Sequence, residues 1–307
     1  MDIVYAFLGR LPHYIVHTIH QARCFFDGPI TLLTDDMDSP YLQELTRYNV
    51  NVVNAYDYVH LEFIQSVQEN ISKFCIAHKL GDRKLLFIRS FERFFLLENW
   101  MTRNNKRDVL FLELDMLLYF KPSELLPILS KRELTFTHTQ EKHKCSAFFY
   151  VKTIAALSDM NSYFLSYIRN PENQRDISEM QAIWKWLEFP GVRDRVWMLP
   201  GLWKDTRYHT DTWENFEAFN YTLFDSLGIA ILIDGPDETH REEWERRGRV
   251  WWGVDINYNE YQYKWKEIDG NRVVYLLDKN QNEYKVQALH VHNKNLAVFL
   301  SQPLPSK

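Results

Sequence analysis

Two short segments carry side chains that could do chemistry together. The first is Asp108-Val109-Leu110-Phe111-Leu112-Glu113-Leu114-Asp115, a near-continuous apolar run ending in two carboxylates one residue apart. Such a run reads as a strand covered on both faces. Strand side chains alternate, so Glu113 and Asp115 are expected to point the same way. Two close carboxylates repel one another unless a cation lies beside them. Hard oxygen ligands suit Mg²⁺ or Mn²⁺, ions that keep waters and share a phosphate with the protein. The pair is therefore a candidate anchor for a metal–diphosphate. The plain alternative is a solvated strand end, because Glu-x-Asp is a common pattern. The second segment, Leu289-His290-Val291-His292-Asn293-Lys294, offers two imidazoles on one strand face and then an ammonium. A neutral imidazole can complete a metal shell, and a lysine can neutralise phosphate charge. Read alone, it is two ordinary histidines beside a surface lysine. Its weight comes from the acidic strand end upstream.

The elements that must position these groups follow from periodicity. Ile3–Leu8 is a short apolar strand, and 11–26 carries Tyr14, Ile15, Ile19 and Ala22 at helical spacing. Asp27-Gly28-Pro29 marks a turn. Ile30–Leu33 is a second strand ending in Thr34-Asp35-Asp36, Tyr41–Tyr48 suits a helix, and Val50–Val53 is a third strand. Strand–helix alternation implies a parallel sheet with covering helices. Open sheets of this kind build ligand crevices at the carboxyl ends of their strands, where the acidic pair falls. Further on, 91–101 and 154–168 read as helices, 148–151 as a strand, and Ser178 as the cap of a helix running to Leu187. From Pro190 onward the pattern breaks down. The charge run Glu238–Arg249 reads as a solvated helix or loop. Nine of the ten tryptophans lie between Trp184 and Trp265. A late strand spans 287–292. Neither an internal repeat nor a low-complexity linker interrupts the sequence, so one continuous domain is expected.

Composition removes several classes. The 307 residues carry 36 Lys+Arg against 41 Asp+Glu, a net charge of −5, which argues against a general nucleic-acid binder. The longest apolar runs fall far short of the ~20 residues of a membrane span. The opening Ile3–Leu8 runs into Gly9-Arg10 and does not read as a signal peptide. Cys24, Cys75 and Cys145 are too few and too scattered for a disulfide framework or a thiolate zinc site. A reducing, cytoplasmic setting is expected.

In these segments the sequence resembles the glycosyltransferases of the GT-A fold, in a group whose Asp-x-Asp motif takes the Glu-x-Asp form. The matching residues are Ser90-Phe91-Glu92-Arg93-Phe94-Phe95-Leu96-Leu97, 109–115, Phe148-Phe149-Tyr150-Val151-Lys152, Glu179-Met180, 289–294 and the opening Phe7-Leu8-Gly9-Arg10-Leu11-Pro12. They cover most of the chain. The resemblance implies a Rossmann-like α/β fold: a mixed, mostly parallel central sheet flanked by helices, with an irregular, aromatic-rich C-terminal portion. Residues 1–120 would form the nucleotide-sugar half, and 121–307 the acceptor half with the late metal and diphosphate motif. It also implies Mn²⁺ or Mg²⁺ as cofactor. Asp115 would bind the ion, and Glu113 would reach the ribose, the metal or a metal-bound water. His290 would complete the shell, with His292 as second choice, and Lys294 would contact the diphosphate. Leu8, Gly9, Arg10, Thr34 and Asp35 would surround the nucleoside; Arg93 would face the nucleotide or form a buried ion pair. The implied reaction moves a hexose or pentose from a nucleoside-diphosphate sugar (UDP first, GDP second) to a glycan or other hydroxyl acceptor. The sequence departs from the pattern in having Glu at the first motif position, and in Phe224–Gly235, which fits a glycine-containing segment only loosely.

An inverting transfer needs a carboxylate to take the acceptor's proton. Glu179 is the first candidate, with Asp176 and Asp234 as alternatives. The plain reading of Glu179 is a first-turn glutamate favoured by the helix dipole, and a retaining enzyme needs no such base. Aromatic faces pack against sugar C–H groups, which makes Trp251-Trp252 and Tyr258–Tyr263 candidates for an acceptor wall, most other rings being core. Two other readings stand beside this one. One is a catalytically silent sugar- or nucleotide-binding module of the same fold. The other, a metal-dependent phosphotransferase or phosphohydrolase, is disfavoured by the absence of a G-x-x-x-x-G-K-[ST] loop.

Overall fold

The computed structural model describes residues 1–76, 84–140, 143–173, 177–202, 215–226, 228–246, 248, 250–251 and 256–305. Four strands, β1 (Asp2–Phe7), β2 (Ile30–Thr34), β3 (Val50–Asn54) and β4 (Val109–Leu112), lie parallel in the order β3-β2-β1-β4. After β4 the chain turns and leaves the sheet as β5 (Met116–Leu118). It returns through β6 (Leu134–Gln140), β7 (His143–Cys145) and β8 (Phe148–Val151). β8 runs antiparallel between β4 and β6, β7 pairs antiparallel with β6 along the same edge as β8, and β9 (Val196–Leu199) pairs parallel with the other edge of β6. The mixed, mainly parallel central sheet flanked by helices is the fold class that the sequence implied.

Every residue of β4 and β8 is buried, as their apolar runs require. One face of the sheet packs against the helices Lys84–Arg103, Ile154–Arg169 and Glu179–Leu187 through Phe94, Phe111, Phe149 and Phe164. The other face, with Ile3, Tyr5, Leu110 and Leu112, meets the helix Ile15–Arg23 and the second half of the chain.

That second half is more regular than the sequence reading expected. β10 (Leu223–Phe224) is followed by a two-stranded ribbon, β11 (Val250–Trp251) and β12 (Ile256–Asn257). Next come three longer strands, β13 (Gln262–Ile268), β14 (Asn271–Leu277) and β15 (Glu283–His290), in an antiparallel meander. β10 and β5 both pair with β15, which ties this second sheet to the end of β4. The turn between β13 and β14 is Asp269-Gly270, both at positive φ (51° and 74°). A two-residue Asp-Gly connection of this kind is a strong hairpin signal. It was present in the sequence and hidden by the surrounding mixture of charges and tryptophans. The charge run forms the helix Glu238–Arg246. Among the described residues no helix is long and apolar enough to cross a membrane.

Candidate metal centre

The two carboxylates converge by a route different from strand alternation. β4 ends at Leu112, and Glu113-Leu114-Asp115 is a turn in which the Met116 N–H donates to Glu113 O at 3.0 Å. Neighbouring elements fix its backbone. Glu113 N–H donates to Ala147 O (3.0 Å), Val291 N–H donates to Asp115 O (2.8 Å), and the Thr18 hydroxyl donates to Leu114 O. β15 pairs with β5 so that His290 lies opposite Met116, the residue after the acidic turn. Register alone therefore delivers the imidazole to the carboxylates. Glu113, Asp115 and His290 each offer a ligand atom, and these atoms lie within 4.8 Å of one another. His290 Nε2 stands 3.3 Å from Asp115 Oδ2 and 3.7 Å from Glu113 Oε2.

The far side of the ring is already engaged. His290 Nδ1 donates to the Ser226 carbonyl at 2.7 Å, which aims Nε2 at the acids. Burial opposes a charge on His290, but Asp115 outweighs it and holds the imidazole pKa well above its ordinary value. Burial would likewise raise the Asp115 carboxyl, yet His290 and then Lys294 pull it well below the carboxylate range. The Lys294 ammonium sits directly on Asp115 Oδ2. His292 lies beyond the strand that was expected to carry it. Its ring packs 4.3 Å from that of His290, outside the three-residue group. Burial, then the neighbouring His290, brings its pKa down to about 3, so it stays neutral.

Arg93 supports the acidic side from below. Its guanidinium donates to Glu113 Oε1 (2.5 Å) and Ser146 Oγ (2.9 Å), stands 3.5 Å from Glu179 Oε1, and lies over the Phe94 and Phe111 rings. Burial disfavours its charge, but Glu113 and Glu179 more than compensate and keep it protonated. The buried ion pair expected of Arg93 is present. Glu179 opens the helix that Ser178 caps, Ser178 Oγ accepting from Gln181 N–H at 3.3 Å. It is buried, and burial raises its pKa against the pull of Arg93, with Glu113 adding to the rise.

The remaining expected residues occupy distinct places. Leu8, Gly9 and Arg10 follow β1, and Gly9 takes φ +104° with no heavy atom near an added Cβ. Its N–H donates to Asp35 Oδ1 (2.6 Å), while Tyr56 OH donates to Asp35 Oδ2 (3.3 Å) and Leu11 N–H to Asp36 Oδ2 (2.8 Å). Thr34 is buried and accepts from Asp36 N–H at 3.2 Å. These contacts fix a loop cluster at the carboxyl ends of β1 and β2. Asp234 is bonded to Asn293 and Asn295. Asp176 and Trp252 lie outside the described residues. Tyr258, expected on an acceptor wall, is buried in the core of the second sheet, whereas Tyr263 is exposed.

Three contributors escaped the sequence reading. Ser226 orients His290 through its carbonyl. Asp225 accepts from the N–H groups of Ile229 and Ala230 (2.9 Å each) and of His290 (3.3 Å). By spacing alone Tyr14 is a packing residue of a helix. Burial, then the charges of Asp115 and Glu113, raise its phenol pKa. No local pattern announces Ser226 or Tyr14; the Asp-Ser before an apolar run at 229–232 was a capping signal for Asp225.

No protein-family model matches this chain, and no curated protein is similar to it in sequence. Similar solved structures include mouse xyloside xylosyltransferase 1 in its apo form, at TM-score 0.46 and 10% identity, over 72% of this chain and 93% of that one. The glycosyltransferase GlyE of Streptococcus pneumoniae is similar at TM-score 0.39 and 12% identity, over 64% of this chain and 45% of that one. A cytidylyltransferase from Leptospira borgpetersenii is similar at TM-score 0.37 and 14% identity, over 70% and 83%.

Proposed function

We propose that this chain is a metal-dependent glycosyltransferase. In this reading it moves a sugar from a nucleoside-diphosphate sugar, UDP before GDP, to a glycan or other hydroxyl acceptor. The observation that carries the reading is the meeting of Glu113, Asp115 and His290, with Lys294 beside them, at the carboxyl end of a parallel strand. Two carboxylates and one oriented imidazole suit a divalent ion, and the nitrogen donor favours Mn²⁺ over Mg²⁺. When bound, such an ion stabilises the negative charge gathering on the departing diphosphate.

The chain's own groups divide the remaining work. Lys294, with an exposed side chain, exchanges Asp115 for a diphosphate oxygen, a charge-assisted contact that strengthens as the leaving group gains charge. Arg93 holds Glu113 in place and keeps its charge near Glu179. Glu179, with its raised pKa, takes the proton of the acceptor hydroxyl in an inverting transfer. Leu8 to Arg10 and Asp35 receive the nucleoside, with Asp35 already oriented by Gly9 and Tyr56 and the buried Thr34 bracing the loop from within.

A thermal-shift panel of nucleoside diphosphates, with and without Mn²⁺, tests this reading. A ligand that binds the native state raises the melting temperature by mass action. One nucleotide is expected to raise it only with the metal, and Asp115→Asn to remove the shift. The matching nucleotide sugar is then expected to turn over. Binding without product on long incubation points instead to a silent module of the same fold. No shift with any nucleotide overturns the assignment.

A further inference from the structure

We propose that Asp234 is a positioning residue for Lys294, clamping the loop after β15 so that the ammonium stands over the acidic pair before a diphosphate arrives. The proposal rests on the metal-dependent reading above and adds a residue that takes no part in the metal shell.

Asp225 and Ser226 on one side, and the helix Gly228–Asp234 on the other, grip the run from His290 to Asn295 at both ends. At its start, Asp225 and Ser226 hold the backbone and ring of His290. At its end, Asp234 closes the helix Gly228–Asp234, and its Oδ2 accepts from Asn293 Nδ2 (2.8 Å) and Asn295 Nδ2 (3.0 Å). Asn293 Nδ2 also lies 3.3 Å from the carbonyls of Asp234 and Gly235, and Asn293 Oδ1 accepts from Asn295 N–H at 3.0 Å. The two asparagines on either side of Lys294 are thus drawn toward Asp234. The side chain between them reaches Asp115.

Two features say that this arrangement needs holding. Lys294 has φ +62°, a left-handed conformation that costs a residue with a side chain backbone energy. The bonds of Asn293 and Asn295 to one carboxylate offset that cost. Asp234 itself ends a helix, where the dipole disfavours an acid. Helix stability does not account for it; the tether to the lysine loop does. A lysine held in place loses less freedom on binding a diphosphate than one on a loose loop.

The test uses Mn²⁺ alone and Mn²⁺ with inorganic pyrophosphate as probes, in calorimetric titrations of the full chain. Asp234→Ala is expected to bind Mn²⁺ alone within about twofold of the parent, because the three ligands are untouched. Its pyrophosphate affinity in saturating Mn²⁺ is expected to fall about tenfold, the size of one charge-assisted contact. Lys294→Ala is expected to lose the same amount, and the double variant no more than either single one. Asp234→Asn keeps an acceptor oxygen and is expected to restore most of the affinity. Should Asp234→Ala fail to fold, the pair Asn293→Ala and Asn295→Ala opens the same clamp from the other side. Pyrophosphate binding unchanged in Asp234→Ala, or losses that add in the double variant, would overturn the proposal while leaving the metal reading intact. A parent chain that binds no Mn²⁺ overturns both.

Discussion

The acidic and basic sides of the site are built in different ways. Glu113 and Asp115 sit on a turn directly after a buried strand of the main sheet, within the segment that makes the strand. His290 and Lys294 belong to the end of the second sheet, and partners about sixty positions earlier hold them: Asp225, Ser226 and Asp234. A local turn brings the two acids together and neighbouring elements then hold it, whereas the basic side is placed by distant partners alone. Disturbing the first should abolish the chemistry. Disturbing the supports of the second should weaken it by degrees.

The largest effect is expected at the acidic side. Asp115→Asn should lower turnover at saturating Mn²⁺ by about a thousandfold or more, read by product formation from the nucleotide sugar. A loss under tenfold would move the ion elsewhere. Next comes Glu179→Gln, for which an inverting enzyme should lose about a hundredfold or more in turnover while donor affinity holds. Retained turnover would point to a retaining reaction. Arg93→Met tests the support beneath both carboxylates. It leaves Glu113 and Glu179 without their buried cation and should destabilise the fold by about 3–5 kcal/mol, read from the denaturant midpoint. An unchanged midpoint would make that contact dispensable.

The smallest effect is graded and concerns the basic side. His290 must release its Nε2 proton to ligate an ion, so protons and metal compete. Asp115 holds that pKa above the ordinary imidazole value, so the competition begins at a higher pH than for an unperturbed histidine. Below it, Mn²⁺ affinity should fall about tenfold per pH unit. Titrations across pH check the slope. A flat profile would remove His290 from the shell.

Much of the acidic side is legible in the sequence. The apolar run 109–112, the three preceding parallel strands and the Ser178-capped helix all declare themselves over a few residues. The direction of the carboxylates was read correctly for the wrong reason, because a turn brings them together. On the basic side the residues themselves show only their types, and the choice of His290 over His292 comes from the resemblance. That His290 takes the place beside the acids, with His292 outside, depends on where β15 ends and on its pairing with β5. Pairing between strands so distant in sequence leaves no local trace. The β13–β14 hairpin is a different case. Its Asp269-Gly270 turn was a readable signal, masked by strands that mix Lys264, Trp265 and Lys266.

Anomalous diffraction from crystals grown with Mn²⁺ and a nucleoside diphosphate tests the central claim most directly. One dominant manganese peak is expected, bounded by Asp115, Glu113 and His290 Nε2, with Lys294 moved from Asp115 onto the diphosphate. Bound diphosphate with no manganese among these three residues, or with Lys294 still on Asp115, would contradict it.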